Sequence, residues 1–121
     1  MTWTYQVRTR RFYHDGIYRF SALYAGAPGY KDDPQYQCVV NKGPLPAGKY
    51  RITAPVNSST TGYYSLPLIP DAANSMCGRS AFMIHGDSRR DPGTASQGCI
   101  VMRPGDRRAI WLSHDHELIV L

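Results

Sequence analysis

Two short β-like runs carry the residues with the most chemistry in them. Phe82-Met83-Ile84 leads into His85-Gly86-Asp87, and after a polar stretch Ala95-Ser96-Gln97-Gly98 leads into Cys99-Ile100-Val101-Met102. A thiol is a weak nucleophile near neutral pH unless an imidazole takes its proton or stabilises its thiolate. A histidine ending one strand and a cysteine beginning another can meet that need beside an open cleft, because a rigid sheet holds both. Gly98 permits a tight turn before Cys99, and the N–H groups of Gly98 and Cys99 could face a developing oxyanion. The chemistry such a pattern supports is thiolate attack on a carbonyl. The same two residues also read as a small buried hydrophobe and a satisfied structural histidine, and spacing alone does not separate these readings.

The other candidates carry weaker signals. Cys38 and Cys77 leave three readings open: a disulfide, two inert core thiols, or zinc ligands with His85. The metal reading is poor because no C-x-x-C or H-x-x-x-H spacing occurs, so neither a metal nor a cofactor is expected. In an oxidising compartment Cys38 and Cys77 are the pair free to join while Cys99 stays reduced. His114-Asp115-His116 reads as a solvated turn. Asp87 is placed to orient His85 or bind an amine, with an exposed loop carboxylate as the plainer alternative. Tyr63 and Tyr64 are candidates to line a cleft or to pack on a sheet.

The elements that must position these residues are mostly strands. Trp3, Tyr5 and Val7 alternate with polar residues at the period of a half-buried strand. Asp15-Gly16 between Arg11-Phe12-Tyr13-His14 and Ile17-Tyr18-Arg19-Phe20 is a hairpin signal. Further strands are expected at Cys38–Val40, Lys49–Thr53, Tyr63–Leu66, Ala81–Ile84, Cys99–Met102 and Glu117–Val120, separated by Gly/Pro-rich connections. Asn57–Gly62 reads as a flexible loop. One helix is expected, from Pro104 to Leu112, with Pro near its start, Asp106 in its first turn, and Ala109, Ile110 and Leu112 on its apolar side. The pattern predicts a mainly β fold, a sandwich or a partly open barrel, with one short helix after the cysteine-bearing strand.

With 121 residues, the chain is expected to form a single domain over 1–121. Its 42% hydrophobic and 19% charged residues exclude disordered and fibrous classes. The longest apolar run, Leu118-Ile119-Val120-Leu121, is far short of the roughly eighteen residues a membrane span needs. Fourteen Lys+Arg against nine Asp+Glu give a net charge of +5, spread over Arg8, Arg10, Arg11, Arg89, Arg90, Arg103, Arg107 and Arg108. The charge reads either as a plain basic surface or as attraction to an anionic partner such as a carboxylate-rich polymer; no nucleic-acid motif accompanies it, so nucleic acid is not an expected partner. The N-terminal residues have no basic segment followed by an apolar stretch and a cleavage site.

The block Ser96-Gln97-Gly98-Cys99-Ile100, with His85-Gly86 before it, resembles the signature of the L,D-transpeptidase (YkuD-type) catalytic domain. Tyr24-Ala25-Gly26 and Asn41-Lys42-Gly43-Pro44-Leu45-Pro46-Ala47-Gly48-Lys49-Tyr50-Arg51-Ile52 are similar to the short variety of that domain found in type VI secretion L,D-transpeptidase effectors. The matching stretches run from about Tyr24 to Met102. The resemblance implies Cys99 as nucleophile, His85 as the residue that activates it, and Ser96, Gln97 and Gly98 as the block shaping the turn and oxyanion site. Beside these, Gly86, Asp87, Tyr63, Tyr64 and Arg103 are candidate substrate contacts on the strength of their position and type rather than of the resemblance. Larger members carry His where this chain has Gln97 and Arg where it has Val101, which favours the short branch; Arg103 supplies a nearby charge.

The implied substrate is the peptidoglycan stem peptide, attacked at the diaminopimelate carbonyl bonded to a terminal D-alanine. The acyl-enzyme then passes to an amine or to water. The resemblance further implies delivery by a secretion-system component to the periplasm of a target bacterium, and a cognate immunity protein in the producer. Two alternatives are an NlpC/P60-like cell-wall amidase and a binding module of the same fold without turnover. The amidases place Cys before His, at a helix N-terminus, the reverse of the order here.

Overall fold

Trp3 and Tyr5 point inward from β1 (Trp3–Gln6) and are wholly buried, as the alternation requires. In the computed structural model, which describes residues 1–121, β1 pairs antiparallel with β2 (Arg11–His14). The turn from β2 into β3 (Ile17–Ser21) places Asp15 at φ 48° and Gly16 at φ 83°, the left-handed values the Asp-Gly pair signals. After β4 (Tyr24–Ala25) and a 3₁₀ turn at Pro34–Tyr36 come β5 (Gly48–Ile52), β6 (Val56–Ser58) and β7 (Gly62–Pro70). Then follow β8 (Met83–His85), β9 (Ile100–Val101), the helix α1 (Pro104–Leu112) and β10 (Glu117–Val120).

The ten strands run in the order β3-β2-β1-β10-β5-β7-β8-β9-β4, with β6 beside β7. The end strands β3 and β4 do not meet, so the expected mainly β fold takes the form of an open sheet. The chain's two ends lie together: β1 and β10 are parallel, with Trp3 opposite Leu118. β7 joins the two halves of the sheet. Its last residues, Leu68–Pro70, pair with β5, while Leu66 and Pro67 pair with β8 and Gly62 and Ser65 with β6. The core between the halves contains Trp3, Tyr5, Phe12, Tyr50, Ile52, Leu66, Ile84, Ile100, Met102, Ile110 and Leu118.

Several expectations change. Cys38–Val40 is a turn rather than a strand: the Val39 N–H donates to the Tyr36 carbonyl at 2.9 Å and the Val39 carbonyl accepts from Gly43 at 3.0 Å, while Cys38 is bonded to Cys77 with the two Cα atoms 5.3 Å apart. That bond removes the zinc and core-thiol readings and leaves Cys99 as the free cysteine. Of the expected Asn57–Gly62 loop, Asn57 and Ser58 belong to β6, which pairs with β7, and Gly62 opens β7 itself. α1 has the expected bounds and its N-terminal proline, but Leu112 is exposed and Arg107 is buried beside Ile110. The inward stripe is therefore set by residues 107 and 110, and Arg107 is not part of a basic surface. No helix is long and apolar enough to cross a membrane.

Candidate active site

β8 and β9 are parallel neighbours, with Ile84 opposite Ile100 and His85 opposite Val101. Cys99 immediately precedes β9, and the Met83 N–H donates to its Sγ at 3.3 Å. Cys99 therefore sits level with Met83, one strand across from His85 and two residues short of it. Sheet spacing puts their Cα atoms roughly 8 Å apart. The two side chains are not hydrogen-bonded to each other and open on different hollows: Cys99 on one of about 360 Å³ with Asn41, Ser80 and Gln97, His85 on one of about 430 Å³ with Ser59, Thr60 and Thr94.

His85 is 3% exposed, and its Nδ1 lies 2.7 Å from the Gly86 carbonyl. A carbonyl only accepts, so the proton is on Nδ1 and the lone pair is on Nε2. Burial lowers the His85 pKa from its ordinary value; the Arg107 guanidinium adds to this, while the Gly86 bond and Asp87 oppose it. Cys99 moves the other way. Burial raises its thiol pKa against the N–H groups of Met83 and of Cys99 itself and the Arg79 guanidinium. Both shifts favour a neutral thiol beside a neutral imidazole over a preformed ion pair.

The turn before Cys99 is fixed from several sides. Ser96, 2% exposed, donates through Oγ to the Cys99 carbonyl at 2.7 Å and accepts the N–H groups of Gly26 and Gly98, each at 2.9 Å. Gly98 has φ +145°, and a Cβ there would meet Arg79 Nη2 at 2.6 Å and Phe82 Cε1 at 2.7 Å. Only glycine fits. One expectation fails here: the Gly98 N–H is donated to Ser96, so it is not free to face an oxyanion, and of the two groups expected only that of Cys99 remains. Gln97 is exposed and contributes its carbonyl to Arg79.

The remaining candidates are dispersed. Asp87 accepts from the Tyr24 hydroxyl at 2.7 Å, from Ser88 N–H at 2.8 Å and from Gly93 N–H at 3.1 Å. These bonds hold its pKa below the ordinary carboxylate value despite burial. It organises the loop between His85 and Cys99 and is not bonded to the imidazole. Tyr63, Gly86, Asp87 and Arg103 line a third hollow of about 450 Å³ beyond His85, together with Arg89 and Arg107. Tyr64 packs partly against the core. The widest hollow, about 620 Å³ and lined by Lys49, Arg51, His114 and Asp115 among others, includes neither Cys99 nor His85.

Three residues were not singled out by sequence. Tyr24 bridges Asp87 and the Ala95 N–H, tying both ends of the 87–95 loop to β4. Arg107 donates to the carbonyls of Tyr63, Tyr64 and Met102 and lies against Gly86. Arg79, 8% exposed, donates to the carbonyls of Gln37, Gly43, Pro44 and Gln97. Nothing in the local sequence distinguishes these arginines from surface ones; each is specified by carbonyls distant in the chain.

No curated protein sequence matches the chain. A solved structure described as an L,D-transpeptidase from Mycobacterium smegmatis superposes with a TM-score of 0.50 at 15% identity, covering 99% of this chain and 58% of that one. The chain thus spans somewhat over half the length of that transpeptidase and shares its fold. A family profile described as the Tlde1 domain matches residues 19–118, a span that holds His85, Cys99 and every side chain bonded around the Cys99 turn. The chain therefore belongs to the Tlde1 domain family, a family of type VI effectors.

Proposed function

We propose that this domain is a cysteine acyl-transferase or peptidase acting on peptidoglycan stem tetrapeptides. The observation that carries the reading is the His85 Nδ1 bond to the Gly86 carbonyl, which leaves Nε2 basic one strand from the only free thiol. Family membership and the transpeptidase-like fold support the substrate class.

In this reading the substrate bridges the hollows of Cys99 and His85. As Sγ attacks the diaminopimelate carbonyl, the thiol proton passes to His85 Nε2, since both groups are neutral at rest. The Cys99 N–H faces the oxyanion. The C–N bond to the terminal D-alanine then breaks and the imidazolium returns the proton to the leaving amine, giving a thioester. Water releases the tripeptide; an amine such as a D-amino acid gives the exchanged or cross-linked product. Arg103 and Arg89, exposed at the rim of the third hollow, suit the carboxylates of the stem peptide. The site of action is the periplasm of a target cell, reached through a secretion-system component, and an immunity protein guards the producer.

The amidase alternative requires a cysteine at a helix N-terminus, whereas Cys99 precedes a strand and α1 starts at Pro104. Incubating the protein with disaccharide tetrapeptide, with and without an added D-amino acid, and weighing the products tests the proposal. Tripeptide or exchanged tetrapeptide supports it; unchanged substrate leaves a binding module.

A further inference from the structure

Arg79 is a buried cation with no carboxylate partner. The close contacts between basic and acidic side chains involve Arg8, His14 and Lys49, and Arg79 takes part in none of them. All four of its Nη hydrogens go to backbone carbonyls: Gln37 at 2.6 Å, Pro44 at 2.9 Å, Gly43 at 2.9 Å and Gln97 at 2.9 Å. Three of these carbonyls belong to the strap from Gln37 to Pro44, and the fourth belongs to the turn that presents Cys99. The guanidinium stacks over Phe82 at 5.0 Å and lines the same hollow as the thiol. Of the two groups that act on its charge, the Tyr50 hydroxyl outweighs the Cys99 sulfur, but burial holds the tyrosine proton well above its ordinary range, which leaves the sulfur as the more readily ionised of the two.

The segment that delivers Arg79 has little structure of its own. Residues 71–82 form no strand or helix, and Cys77, Gly78 and Ala81 take positive φ values of 57°, 69° and 65°. Non-glycine residues hold such angles only where surrounding structure fixes them. Here the fixing is covalent: Cys77, two residues before Arg79, is bonded to Cys38, the neighbour of Gln37. The strap in turn reaches the nucleophile turn through the Leu45 N–H, which donates to the Gly98 carbonyl at 3.0 Å.

We propose that the Cys38–Cys77 disulfide and Arg79 form an oxidation-set latch that positions the Cys99 turn, so that the nucleophile site is fully formed only where the disulfide persists. Arg79 acts as a positioning residue, through the turn and through its charge. This rests on the reading of Cys99 as nucleophile for its consequence in turnover. The closing step is thiol–disulfide exchange. The thiolate of Cys38, exposed at the surface, attacks the disulfide of a protein dithiol oxidase, and Cys77 resolves the mixed disulfide. Two thiols lose two protons and two electrons, and the oxidant's disulfide gains them as two thiols. In a reducing cytoplasm the latch stays open; in an oxidising periplasm it closes.

Alkylation of Cys99 by iodoacetamide, followed across pH by peptide mass, tests the Arg79 half and needs no peptidoglycan. Arg79→Met should move the apparent thiol pKa upward and slow labelling about tenfold at neutral pH, with Arg79→Lys recovering part of the shift by its charge. A purely structural arginine would lower the melting temperature and leave that titration in place. Hydrogen exchange of the oxidised and reduced full-length protein tests the disulfide half. Reduction should speed exchange at the Leu45 and Gly98 amides at least tenfold while the β1 amides hold, and a Cys38→Ser/Cys77→Ser variant should match the reduced protein in either buffer. Where Arg79→Met does not fold, Arg79→Lys and the reduction arm decide. An unmoved Cys99 titration in the arginine variants, or unchanged Leu45 and Gly98 exchange on reduction, overturns the latch. Absence of D-alanine release by folded, oxidised wild type would instead overturn the proposed function and leave these readouts standing.

Discussion

Ser96 Oγ donates to the Cys99 carbonyl at 2.7 Å across a three-residue turn, and the same oxygen accepts from Gly26 and Gly98. One buried hydroxyl thus satisfies three backbone groups and joins the Cys99 turn to the end of β4. Ser96→Ala leaves all three without partners. At about 1–3 kcal/mol for each orphaned group, less relaxation, a loss of about 3 kcal/mol is expected. Urea unfolding measures it; a change below about 0.5 kcal/mol would mean water replaces the hydroxyl freely.

Gly98→Ala should be worse. The new Cβ meets Arg79 and Phe82 at 2.6 and 2.7 Å on a backbone at φ +145°, so steric and torsional costs combine. A loss of about 4 kcal/mol is expected, with slower Cys99 alkylation. Retention of wild-type stability would contradict the turn geometry.

The Cys38–Cys77 bond closes a loop with a sequence separation of 39. Loop-closure entropy then predicts that Cys38→Ser/Cys77→Ser lowers stability by about 4 kcal/mol. Intact mass without reductant should show a two-proton deficit in wild type, and matched denaturation curves of the two proteins would contradict the bond's role.

The pH dependence follows from two opposed shifts. As the proposed base, His85 would act only when neutral, and burial with Arg107 beside it holds its pKa below the ordinary value. Turnover should therefore survive at pH 6.5 and fall only as pH drops through the lower folded-state value. Stability has the same sign: the unfolded chain binds the His85 proton more readily, so its contribution is present above about pH 6.5 and is lost below it. A pH–rate profile of kcat/KM with an acid midpoint at or above 6.5 would contradict this. His85→Ala should lower the rate by about three orders of magnitude, from loss of the general base.

Local signals carried some of this structure and long-range ones carried the rest. Asp15-Gly16 and the Pro104–Leu112 helix are encoded within a few residues, and both appear where the sequence places them. β7 runs past the expected Leu66 to Pro70: Pro67 and Pro70 break the strand pattern in the sequence, yet Pro67 still lies opposite Met83 of β8 and Pro70 opposite Tyr50 of β5. β9 is the expected Cys99–Met102 strand shortened to Ile100–Val101, whereas the two-residue β4 carries no strand signal of its own and is defined by its pairing to β9. In the candidate site, Cys99, His85, Ser96 and Gly98 were legible because their types and order are distinctive. Arg79, Arg107 and Tyr24 were not, since each is defined by carbonyls, N–H groups or a carboxylate far along the chain. The commitment of the Gly98 N–H to Ser96 likewise depends on a side-chain rotamer that spacing cannot specify.

The proposed chemistry depends above all on Cys99 as nucleophile. D-alanine release from disaccharide tetrapeptide, measured for oxidised wild type and for Cys99→Ala shown to be folded by circular dichroism, tests it most directly. Wild type is expected to release D-alanine and to carry a transient thioester mass adduct, and Cys99→Ala to do neither. A folded Cys99→Ala protein that still releases D-alanine would contradict it.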